Sequence, residues 1–97
     1  MDFKNQFPNL YQFLGGYFPD ADFDNLTDED VVKNYVDDCK KSKSSIKSLE
    51  ETKEELLLLI NKIDIYLQDV ENESNRYFEN SQDALVWLNM IKRELEK

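Results

Sequence analysis

The chain predicts an all-α fold: a small bundle of four or five helices with no sheet. Three observations predict it. Apolar residues recur about every 3.6 positions in each apolar segment after residue 6. Both glycines (Gly15, Gly16) and both prolines (Pro8, Pro19) fall before residue 20, so the rest of the chain carries no strong breaker. No pair of alternating runs flanks a turn dipeptide, as a hairpin would require. The length of 97 residues suits one domain, spanning residues 1–97. Six Phe, five Tyr and one Trp, in a chain that is 40% apolar, supply a core and argue against disorder.

The elements follow in order. Phe7, Leu10, Tyr11 and Leu14 share one helical face, and Pro8 fits a first turn, where its missing N–H costs nothing. Gly15-Gly16 reads as the stop, which predicts a short helix over residues 6–15 and a loop from Gly16 to Leu26 holding Pro19. Thr27 reads as the N-cap of a second helix, accepting from the Asp30 amide, with Asp28, Glu29 and Asp30 at the positive end of its dipole. Val31, Val32, Tyr35, Val36 and Cys39 form its apolar face, and Lys40 and Lys41 suit its C-terminal end.

After a polar break at residues 42–45, an apolar stripe runs through Ile46, Leu49, Leu56, Ile60, Ile63 and Leu67. It is compatible with one long helix or with two separated near Asn61-Lys62. Leu57, Leu58 and Leu59 make the helix apolar all round, which predicts a segment at the bundle centre. Residues 72–81 read as a connection anchored by Tyr77 and Phe78. Ser81 is the expected cap of a last helix whose face is Ala84, Trp87, Leu88, Ile91 and Leu95. Six large apolar residues in the first segment (Phe7, Leu10, Phe13, Leu14, Tyr17 and Phe18) read as packing residues, because exposing them all would be a liability.

Charge narrows the function. The net charge is −9, and it is uneven. Residues 20–38 hold Asp20, Asp22, Asp24, Asp28, Glu29, Asp30, Asp37 and Asp38 against Lys33 alone, a local net charge of −7. Such a surface repels nucleic acid and anionic lipid and attracts basic proteins. These eight carboxylates are the candidate partner-binding residues; the competing reading is a solvated, solubilising surface.

Chemistry is sparse. The chain has no His, the commonest base near neutral pH, and a single cysteine, Cys39, on an apolar face. No Gly-rich phosphate loop is present. Asp20, Asp22 and Asp24 have the spacing that opens a calcium loop, but Asn25 stands where that loop needs Gly and Val31 where it needs Glu. Glu50-Glu51 and Glu54-Glu55 read as a solvated helix surface among Lys47 and Lys53. No catalysis, cofactor or metal is expected. The longest apolar run, residues 56–60, is far shorter than the roughly 20 residues that cross a bilayer. Without a visible secretory signal, a cytoplasmic location is expected.

The stretch Phe7-Pro8-Asn9-Leu10-Tyr11-Gln12-Phe13-Leu14-Gly15-Gly16-Tyr17-Phe18 resembles the opening of a family of immunity proteins from bacterial contact-dependent growth inhibition systems. The acidic helix start at Thr27 to Val32 and the late Trp87-Leu88 pair are similar to that family in outline. The chain departs from it after Phe18, where Pro19-Asp20-Ala21-Asp22-Phe23 replaces the His or Gln and Asp-Trp that members often carry. The resemblance implies a protein, monomeric when free, that binds and blocks the toxin domain of a delivered effector, one to one. A basic nuclease is the toxin that an acidic surface would suit. The alternative is an acidic helical secretion chaperone or adaptor that holds a partner without inhibiting it.

Overall fold

The computed structural model describes residues 2–97, and all of their side chains except those of residues 20–24. Six helices and no strand are found among the described residues: α1 Phe3–Gln6, α2 Pro8–Asp24, α3 Asp28–Cys39, α4 Lys43–Asn61, α5 Ile63–Ser74 and α6 Ser81–Leu95. The all-α class holds. The number exceeds four or five because the start of the chain forms the single-turn α1 and the long central pattern divides in two.

The largest departure from expectation is α2. It passes through Gly15, Gly16 and Pro19 and ends at Asp24, so the expected loop from Gly16 to Leu26 is mostly helix. Neither glycine has a positive φ; the left-handed residue is Asn25, just beyond the helix (φ 56°). Two glycines and one proline cost a helix about 5 kcal/mol relative to alanines. Tertiary packing offsets that. Phe18 is fully buried, with its ring centroid 5.4 Å from Phe13 and 4.9 Å from Trp87. Tyr17 meets Tyr35 edge-on at 5.2 Å. Both anchors lie beyond the glycines, so the helix has to continue past Gly16 to place them, and their contacts outweigh the glycines' share of that cost.

The glycines differ in surroundings. A Cβ on Gly15 would lie 3.2 Å from Glu73 Oε2, whereas one on Gly16 would meet nothing within 4 Å. Gly16→Ala is therefore expected to stabilise the protein by about 0.5–1 kcal/mol, the entropic advantage of alanine in a helix interior. A rise in the urea midpoint with unchanged slope checks this; a fall would mean that α2 bends at Gly16 in solution.

The start of α2 shows a second departure. Phe7, the residue before Pro8, has no side-chain oxygen with which to cap. The cap comes from α4: Glu55 Oε1 accepts from the Leu10 amide at 2.9 Å. The Asn9 amide donates to Glu55 Oε2 at 2.7 Å and to Glu51 Oε2 at 2.9 Å. Glu51 and Glu55 are thus not a free solvated face; they place two negative charges at the positive end of α2.

α3 follows its sequence closely. Thr27 and Asp30 form a reciprocal capping box, and Val31, Val32, Tyr35, Val36 and Cys39 are buried. α4 starts behind Ser42, whose hydroxyl accepts from the Ser45 amide. It breaks from α5 at Lys62 (φ −124°, ψ 20°), where the Lys62 N–H reaches Leu59 O and the Ile65 N–H reaches Lys62 O. Leu57 and Leu58 are 48% and 54% exposed, so the expectation of apolar contact all round α4 fails; Leu56 and Leu59 carry the packing. α5 closes on Asn75, also left-handed (φ 57°). Phe78 anchors the connection to α6 while Tyr77 is exposed. Asn80, rather than Ser81, caps α6 by accepting from the Asp83 amide.

α2 packs against α3, α4 and α5, and α6 packs against α3, α4 and α5. Phe7, Leu10, Phe13, Leu14 and Phe18 are all buried, as expected of packing residues; Tyr17 is half-buried. One aromatic group joins Phe3, Phe7 and Tyr66, and another joins Phe13, Tyr17, Phe18, Tyr35, Phe78 and Trp87.

Candidate functional site

The eight candidate carboxylates do not form one surface of equal character. Asp20, Asp22 and Asp24 fall at the end of α2, and their side chains lie outside the described residues. Asp28 faces inward. Its Oδ1 accepts from Arg76 Nη2 at 2.8 Å, and its Oδ2 accepts from Trp87 Nε1 at 2.7 Å and Arg76 Nε at 3.4 Å. Burial opposes ionisation of Asp28, but the Arg76 and Trp87 hydrogen bonds and the guanidinium charge outweigh it and hold the carboxyl below its ordinary value. Asp30 is engaged in the capping box. Glu29, Asp37 and Asp38 are exposed along α3.

Asp37 and Asp38, though adjacent, sit in different settings. Asp37 lines a cleft with Val36, Lys33, Lys40, Glu94 and Lys97, where three lysines face two carboxylates. That place is close to charge balance. Asp38 lines a cleft of about 320 Å³ between α2, α3 and α4. Phe13, Tyr17 and Tyr35 supply its aromatic wall, Asn9 and Gln12 line it from α2, and Cys39, Ser45 and Ser48 complete the lining. Among the described side chains no lysine or arginine lines it.

The wall is braced from behind. The Phe13 and Tyr35 rings stack with centroids 4.1 Å apart, and Tyr17 stands edge-on to Tyr35. Buried Thr52 donates its hydroxyl to Ser48 O at 2.8 Å, so its oxygen accepts from Tyr35 OH at 2.8 Å. Tyr17 OH donates to Asp38 Oδ2 at 2.7 Å. Burial, then the hydrogen bond and charge of Asp38, push the Tyr17 phenol up to about 12, so it remains the donor at neutral pH. The same bond, with Lys41 beyond it, holds the Asp38 carboxyl below its ordinary value. Asp38 therefore stays anionic at the lip of an aromatic cleft. Lys41 Nζ reaches Asp38 Oδ1 at 3.3 Å from a side chain that is 76% exposed, an arrangement of small energetic weight.

No family model, curated protein or solved structure matches this chain. No group of three or more His, Cys, Asp or Glu among the described residues could hold a metal ion, and no helix is long and apolar enough to cross a membrane. Cys39 is buried, and burial pushes its thiol up, away from the reactive thiolate.

Sequence reasoning singled out Asp38 but missed the cleft beside it. Tyr17 and Tyr35 were legible only as apolar-face residues. Asn9, Gln12, Ser45 and Ser48 give no sign of their role until three helices meet.

Proposed function

We propose that the chain is a cytoplasmic immunity protein that binds, one to one, the toxin domain of a contact-dependent growth inhibition effector and blocks it, the toxin being a basic nuclease. The observation that carries the reading is the presentation of acidic charge: Glu29, Asp37 and Asp38 stand exposed along α3 in a chain of net charge −9. The resemblance supports it: Phe7, Leu10, Phe13, Leu14 and Phe18 of that stretch pack the core, which leaves the exposed carboxylates of α3 for a partner. An acidic face speeds encounter with a basic cleft and competes with phosphate there.

The test is a kinetic titration against the purified toxin domain of any contact-dependent growth inhibition effector found encoded beside this chain, with nuclease activity measured in parallel. Association is expected to slow steeply with added salt, and Asp37→Asn and Asp38→Asn to slow it further at low salt. Wild-type association by both variants would remove the α3 face from the mechanism. Tight binding that leaves the nuclease active would make the chain an adaptor instead of an inhibitor.

A further inference from the structure

We infer that the cleft between α2, α3 and α4 is the seat for an arginine side chain presented by a basic partner protein. The inference rests on the proposed role for its biological setting, but its geometry stands apart from the identity of the partner.

The cleft has the parts that a guanidinium needs. The half-buried Tyr17 ring borders the opening, backed by the buried, stacked Phe13–Tyr35 pair. A flat, weakly hydrated cation stacks on such rings far better than a compact ammonium does. Asp38 stands at the lip, its Oδ2 fixed by Tyr17 OH at 2.7 Å, so the carboxylate is oriented before anything binds. Guanidinium forks match a carboxylate held in this way. The Asn9 amide is oriented too: its nitrogen donates to two carboxylates, Glu51 and Glu55, and the residue lines the cleft from α2. Ser45 and Ser48 line it from α4.

Charge selects the occupant. No described cation lines the cleft, whereas the neighbouring cleft at Asp37 already holds three lysines. Lys41 touches the outer oxygen of Asp38 from an exposed position and is readily displaced. A chain of net charge −9 draws basic proteins toward this face. An arginine set in an aromatic pocket is also the kind of anchor that dominates protein interfaces.

The test uses the full chain, ¹⁵N-labelled, titrated with the peptide acetyl-Gly-Arg-Gly-amide and followed by amide chemical shifts. Parallel titrations use the lysine and citrulline analogues; the first keeps the charge without the planar fork, and the second keeps the shape without the charge. The arginine peptide is expected to saturate in the roughly millimolar range. Its shifts should be confined to the amides around Asn9, Tyr17, Tyr35, Asp38 and Ser45. Asp38→Asn should weaken it about tenfold, the value of a charge-assisted hydrogen bond, while Asp64→Asn, exposed on α5, leaves it unchanged. Equal shifts with the lysine or citrulline peptide, shifts outside the cleft, or no effect of Asp38→Asn would overturn the assignment. Toxin binding without arginine-peptide binding would sink the cleft and spare the immunity reading. Arginine-peptide binding without toxin binding would do the reverse.

Discussion

Leu14→Ala is expected to lower stability by roughly 2–5 kcal/mol, the range for removing a fully buried leucine when the surroundings relax only in part. Leu14 has no exposed surface and lies midway along α2, the helix that α3, α4 and α5 all touch. Its neighbours on the same face, Leu10 and Phe18, are equally buried. The gap left by the missing atoms would sit among residues held by several helices at once, so collapse around it is hindered and the upper half of the range is favoured. For a domain of this size the melting temperature should fall on the order of 10–30 °C. Leu58→Ala supplies the contrast: a leucine of the same chemistry, 54% exposed on α4, should stay within about 0.5 kcal/mol of wild type. Thermal unfolding by circular dichroism decides it. Equal melting of both variants would mean that the core does not centre on α2.

The contrast between those two leucines shows which features the sequence exposes. α3 was legible residue by residue, because its cap, its acidic first turn and its apolar face all lie within one short segment and agree. α2 was not, because its local signals oppose its packing. Gly15-Gly16 and Pro19 argue for an end, and only contacts with Tyr35 and Trp87, far along the chain, argue for continuation. Leu57 and Leu58 misled in the opposite sense: hydrophobicity suggested burial, while the helical period that buries Leu49 and Thr52 brings only Leu56 and Leu59 of that run onto the core face. Both left-handed helix ends fall on asparagine, which carries a weaker stop signal than glycine. For the candidate site, the acidic run was plain in the sequence, but its division into different roles was not. Asp28 meets partners 48 and 59 residues away, and no spacing rule reaches that far.

Asp28→Asn is expected to cost about 3 kcal/mol at neutral pH, the scale for breaking a part-buried, charge-assisted network by changing one partner. The carboxylate ties three parts of the molecule together. It is the first residue of α3, where negative charge suits the helix dipole; it takes two bonds from Arg76 in the connection before α6; and it takes the indole N–H of Trp87 within α6. Trp87 in turn packs on Phe18, the anchor that carries α2 past its glycines. Asparagine keeps the shape but offers one acceptor oxygen in place of two, and turns an NH₂ group toward either the guanidinium or the indole. The sign of the pH dependence follows from the lowered carboxyl. A group whose folded value lies below its unfolded value of 3.8 contributes its full stability above that pH and loses it as the pH falls through the folded value. The gap between wild type and Asp28→Asn should therefore be wide at pH 7 and close progressively below about 3.8. Urea unfolding of both proteins across that range measures it. A gap that stays constant down to the acid limit would show that the asparagine perturbs packing rather than charge. A gap that is absent at pH 7 would show that Arg76 and Trp87 find other acceptors, and would return Asp28 to the set of carboxylates available to a partner.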